Sequence, residues 1–144
     1  MGRVGKIGVV ILTIYSFITA SSYAAERWYP NIEEGLKVAK EQNRLVMFYF
    51  YEDGCTYCKY MEEVVFVEPE VDTYMNSKFI VVPVDVENLP ENLDRRFIAF
   101  GTPTFILYNP KTDKIVMQIF GLQESDEFLK LLSTACKKAK LKEC

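Results

Sequence analysis

The 144-residue chain contains no histidine. Whatever its four cysteines do, no imidazolium stands beside them to lower a thiol pKa. There is no internal repeat and no low-complexity tract, so the length is read as one domain with a sizeable core. An aromatic content of 14% points the same way, to a packed protein and away from disorder. Basic residues are outnumbered by acidic ones, 17 to 20. No basic stripe runs through the chain, which makes nucleic acid a poor partner because its phosphates attract Lys and Arg. Lys137, Lys138, Lys140 and Lys142 do cluster near the C-terminus. There they complement the negative end of a last helix and keep it soluble.

The first 25 residues differ in kind from the rest. Arg3 and Lys6 are the only charges before Glu26, Ile7 to Ile18 is almost wholly apolar, and small residues at Ser22 and Ala24 flank Tyr23. A basic segment, an apolar segment and a small-residue cleavage site form the layout of a secretory signal peptide over residues 1–25. The competing reading is an uncleaved anchor, for which the apolar run is short against the roughly 20 residues a span needs. Removing Arg3 and Lys6 takes the 17 basic residues to 15 against 20 acidic ones, a net charge near −5 for residues 26–144. Export places the cysteines where thiols oxidise, so disulfide chemistry is expected of them.

Along residues 26–144 helices and strands alternate. Asn31 caps a helix through about Asn43, with Glu34 three residues on as in a capping box. "RLVMFYFY" is a continuous apolar run that suits a strand buried on both faces. From Cys55 the pattern turns helical, with Cys58, Met61 and Val65 on one side, and Pro69 interrupts it before a further turn or two. "KFIVVPVDV" is a second strand, and Pro83 predicts an edge position or a local break for it. "LPENLDRRFIAF" reads as a short helix, and "PTFILY" and "KIVMQIF" read as a hairpin around "NPKTD". Gly121 ends the hairpin, and Ser125 caps a closing amphipathic helix. The expected fold is α/β, with a mixed central sheet of about four or five strands and helices on both faces.

Cys55 and Cys58 stand three apart where the first strand gives way to a helix. Free N–H groups and partial positive charge at a helix start stabilise a thiolate, the form that attacks disulfides. One turn on, a second cysteine is placed to attack the resulting mixed disulfide. Cys55 is thus the exposed nucleophile and Cys58 the more buried resolving thiol.

The chain resembles the thioredoxin-like superfamily over residues 28 to 141. The strand "LVMFYFY" running into "CTYC", the segment "GTPT" at residues 101 to 104, and "IFG" ending at Gly121 carry the resemblance. The opening "NIEEGLKVAKEQN" and "CKYMEEVVFVEPEVDTYM" look like an exported or membrane-tethered branch. That branch includes periplasmic thioredoxins of sulfur-oxidising bacteria and periplasmic reductant-relay domains. The resemblance implies a thioredoxin fold and an exported thiol:disulfide oxidoreductase. It implies a cis Pro103 facing the cysteine pair, with Thr102 and Tyr57 contacting substrate. Its electrons are carried by the Cys55–Cys58 disulfide, with no other cofactor and no metal. Its partners are protein thiols and disulfides and an upstream dithiol donor. Membrane contact follows only if the N-terminal segment is uncleaved.

The chain also departs from that pattern. Cytosolic thioredoxins carry a buried Asp before the pair and a Lys in the next strand, where this chain has Tyr49 and Val81; Gly54 replaces the usual Trp. Glu52 and Asp53 are candidates to take protons from Cys58, although two acids in a turn are more often simply solvated. Without histidine, and with Thr56-Tyr57 between the cysteines, a milder thiolate and a reducing poise are expected. Tyr57 and Thr102 resemble residues of periplasmic isomerases and reductases. No segment remains for an isomerase's dimerisation domain, which favours a monomeric reductase located in the periplasm or tethered to the outer face of the inner membrane.

Cys136 and Cys144 are harder to place. Eight residues of helix rise about 12 Å, too far for a disulfide unless the tail turns back after Leu141. A structural disulfide and free or intermolecular thiols both stay open, and a second redox pair passing electrons to Cys55 is a further reading, though no strand–helix junction activates it. Two readings from other classes also stand: a zinc module using all four cysteines, and a redox-inert binding protein in which Cys55–Cys58 is a staple.

Overall fold

The computed structural model describes residues 28–142 and 144. The signal-peptide or anchor expectation for residues 1–25 lies outside the described residues. Among those residues no helix is long and apolar enough to cross a membrane.

Helix α1 (Ile32–Gln42) starts where the Asn31 side chain accepts from the Glu34 N–H at 3.0 Å, and stops at Asn43 in the left-handed conformation. It packs close on the sheet at Gly35, where a Cβ would stand 2.6 Å from Val82 Cγ2. Strand β1 (Leu45–Tyr51) runs up the middle of the sheet. Then come α2 (Thr56–Tyr60), a π turn (Met61–Val65) and α3 (Pro69–Lys78). Strand β2 (Phe79–Asp85) pairs parallel to β1. Strands β3 (Thr104–Asn109) and β4 (Lys114–Phe120) complete a mixed sheet of four in the order β2-β1-β3-β4. Helix α4 (Ser125–Ala139) closes the chain.

The run of apolar residues in β1 is explained by its two buried faces. Leu45, Met47 and Tyr49 join the core beneath the π turn, α3 and α4, with Met61, Val71, Met75, Phe128 and Leu132. Val46, Phe48 and Phe50 point the other way, into a core with Ile32 and Ala39 of α1 and with Phe97. Helices therefore cover both faces, as expected. Pro83 takes its place on the edge strand β2, opposite Tyr49, where the missing donor costs no ladder bond on the open side.

Four local features depart from the sequence reading. Residues 89–100 form turns, not a helix. The Asp94 carboxylate accepts from the Arg96 N–H at 2.9 Å and from its guanidinium, a local bond that competes with helical hydrogen bonding. Isolated turns at Leu93 and Phe97 close this segment over the core. The cap of α4 is Glu124, with Ser125 its first helical residue. Helix α3 is ten residues long, because Pro69 stands at its start, where a proline needs no N–H partner. The segment after the cysteines is a π turn, closed by the Phe66 N–H on the Met61 carbonyl at 2.8 Å.

Candidate active site

β1 ends at Tyr51, and a turn through Gly54 (φ +77°) delivers Cys55 to the start of α2. Cys55 is the helix cap itself. Its Sγ accepts the Cys58 N–H at 3.1 Å, and its carbonyl accepts from Lys59. Cys55 and Cys58 form a disulfide with Cα atoms 5.2 Å apart. Cys55 is partly exposed and Cys58 is 3% exposed, so an attacking thiol reaches the first sulfur before the second.

The opposing wall comes from the β3 side. The Thr102–Pro103 bond is cis. Phe50 pairs with Thr104 in the ladder, which sets Pro103 beside Tyr51, at the base of the turn that carries Cys55. Three bonds hold this loop. The Gly121 N–H donates to the Pro103 carbonyl at 2.8 Å, the Thr104 hydroxyl donates to the Gly101 carbonyl at 2.6 Å, and the Thr102 hydroxyl donates to Glu52 at 2.6 Å. Glu52, Asp53, Cys55 and Cys58 line one cleft of about 570 Å³. Tyr57 stands out from α2, 60% exposed, and Phe100 before the proline loop is 89% exposed.

Sequence reasoning missed Glu62, which lines the same cleft. Its carboxylate accepts from the Tyr49 hydroxyl at 2.9 Å. Burial foremost, and then the bond to Glu62 and its negative charge, push the Tyr49 phenol well above its ordinary value. Tyr51 is raised by burial and by the charges of Asp85, Glu62 and Asp53. Glu62 stands four residues after Cys58, a spacing that puts it on the helix face returning to the cleft but does not mark its bond to Tyr49.

Cys136 and Cys144 lie elsewhere. Helix α4 begins beside the site, where Glu124 accepts from the Tyr60 hydroxyl at 3.1 Å, and Cys136 follows about 17 Å along the axis. The helix ends at Ala139, Lys140 turns left-handed, and Cys144 comes back to pair with Cys136 at a Cα separation of 4.9 Å. All four cysteines are thus spent in two separate disulfides, so no tetrahedral centre of four thiolates is assembled. Among the described residues no three acidic or cysteine side chains come together in a way that holds a metal ion.

Residues 32–135 match the model of the thioredoxin-like domain. The chain belongs to that family. It is 38% identical to a thioredoxin from Thermus thermophilus, covering 79% of this chain and 89% of that one, with a TM-score of 0.70. The C-terminal domain of DsbD from Neisseria meningitidis shares the fold at 23% identity, with 72% and 90% covered and a TM-score of 0.59. The thiol:disulfide interchange protein DsbD of Ralstonia nicotianae is 27% identical over 116 residues, which is 77% of this chain and 19% of that protein. The chain therefore spans about a fifth of that relative's length. A thioredoxin-like domain whose Cys-x-x-Cys pair sits at the strand–helix junction is a thiol–disulfide oxidoreductase.

Proposed function

We propose that this domain is an exported disulfide reductase. Cys55 attacks the disulfide of a protein substrate, Cys58 resolves the mixed disulfide, and an upstream dithiol returns the electrons. The observation that carries the exchange step, in either direction, is the Cys58 N–H on Cys55 Sγ at the first turn of α2, a bond that activates the accessible sulfur as the nucleophile. Thr102, cis Pro103 and Tyr57 form the surface against which an extended substrate segment lies. No dissociable cofactor or metal enters, since the dithiol holds the electrons itself. The domain works as a monomer.

The reducing direction is supported by charge. The cleft carries Glu52, Asp53, Glu62 and Glu63, with Lys59 the only cation among its lining residues. Negative neighbours disfavour a thiolate, and the chain has no histidine to offset them. A less stable thiolate gives up its electrons more readily. Export is supported by the layout of residues 1–25 and by the second disulfide, a bond that persists in oxidising compartments. The periplasm, with the N-terminal segment either cleaved or kept as a tether, fits both.

The deciding experiment is the reduction potential of Cys55–Cys58 against a glutathione buffer. A value near about −270 mV supports a reductase, and one near about −120 mV makes the domain an oxidant. A Cys136→Ala/Cys144→Ala variant isolates the pair for the titration.

A further inference from the structure

Resolution of the mixed disulfide requires Cys58 to lose a proton inside the protein, since it is 3% exposed. Two acids of the turn, Glu52 and Asp53, line the cleft. The Glu52 carboxylate is engaged by the Thr102 hydroxyl at 2.6 Å, on the side of the proline loop. Asp53 sits with it in the exposed turn before Gly54. On the helix side of the same cleft stands Glu62, at the second position of the π turn.

Glu62 is not a freely moving surface acid. Its partner Tyr49 is 1% exposed and fixed on every side. The phenol ring stacks on Phe105 at 5.3 Å, with Trp28 and Phe66 against it edge-on at 6.1 and 5.3 Å. A donor that cannot swing holds the carboxylate it bonds. Carboxylates accept through two oxygens, so the bond to Tyr49 leaves capacity for a proton. π turns place one residue more than an α-turn, a device that recurs at functional sites.

We propose that Glu62, held in place by Tyr49, is the proton acceptor for Cys58 in the resolving step. The inference rests on the reading of Cys55–Cys58 as a disulfide-exchanging dithiol. In the mixed disulfide, Cys55 Sγ is bonded to a substrate sulfur. Cys58 passes its thiol proton to the Glu62 carboxylate, and its sulfur attacks Cys55 Sγ. The Cys55–Cys58 bond forms, the bond to the substrate breaks, and the substrate leaves as a thiolate that is protonated from Glu62 or from water. Two electrons have then moved from the dithiol to the substrate disulfide. Glu62 is open to solvent, so its proton is readily exchanged. The other charged or titratable groups of this cleft are Tyr51 from β1, Glu52 and Asp53 from the turn, and Lys59 and Glu63 from the helix, the last two paired at 3.8 Å.

The test uses the reduced full chain and a dipyridyl disulfide, which releases pyridinethione twice. The first release follows attack by Cys55 and the second follows attack by Cys58. Glu62→Gln is expected to leave the first phase in place and slow the second about 10²-fold at neutral pH, moving its pH profile upward. Glu62→Asp recovers part of the rate, and Tyr49→Phe slows the second phase less than Glu62→Gln does. If Glu62 is only a nearby negative charge, its removal eases Cys58 ionisation and the second phase becomes as fast as in the unchanged protein or faster. That result overturns the assignment while leaving the dithiol reading intact. Absence of the first phase in the unchanged protein overturns the dithiol reading itself.

Discussion

The Thr102 hydroxyl donates to the Glu52 carboxylate at 2.6 Å, across a sequence separation of 50. This bond joins the loop of the cis proline to the turn that carries Cys55. Two loops on neighbouring strands are thereby held at one spacing.

Thr102→Val removes the bond and keeps the side chain's shape. The expected result is a KM for a protein disulfide raised three- to tenfold, the equivalent of about 1 kcal/mol, with kcat and reduction potential little changed. Steady-state kinetics with a reducible protein substrate checks it. An unchanged KM means that the bond has no part in holding the substrate surface.

Tyr49 gives a pH prediction. Burial, and then Glu62, raise its phenol above the ordinary value of about 10. In the unfolded chain the phenol ionises near pH 10, whereas in the folded chain it keeps its proton. Its contribution to stability is therefore fully present below about pH 10 and is lost as pH rises beyond that value. Tyr51 and Tyr108 are shifted in the same direction. Denaturant midpoints should hold steady up to about pH 9 and then fall, and the fall should be shallower in Tyr49→Phe. Equal slopes would place the alkaline loss outside Tyr49.

The fold was legible wherever burial is periodic or complete. β1 is apolar at every position because both its faces are covered, and a run of that kind is readable from sequence. Pro83 pointed to an edge position or a local break, and the edge is where it lies, since a missing donor is inexpensive there. Residues 89–100 were misread because their apolar spacing resembles a helix, while the Asp94 carboxylate bonds locally to Arg96. At the site, the cysteine pair was legible through its spacing at a strand–helix junction, and the proline loop only through the resemblance to thioredoxin-like proteins. Glu62 was not, because its role depends on Tyr49, 13 residues away on another element. In the sequence Tyr49 marks only the place where thioredoxins carry an acid and this chain does not. Side-chain pairing across elements of this kind leaves no pattern in the chain to read.

The Cys136–Cys144 disulfide supplies the last prediction. It closes a loop over the end of α4, and Leu141 and Cys144 pack against the core with Cys136. Loops this short gain less from cross-linking than long ones, and about 2–3 kcal/mol is the scale expected. Cys136→Ala/Cys144→Ala should lower Tm by about 10 °C. It should leave both pyridinethione phases unchanged, because the pair lies about 17 Å down the helix from the site. Treating the unchanged protein with a mild dithiol separates two roles. A staple resists dithiol that has already reduced Cys55–Cys58, and the Tm stays high until it too opens. If instead the two disulfides reduce together and the double variant slows either phase, Cys136–Cys144 exchanges electrons with the site and is not a staple.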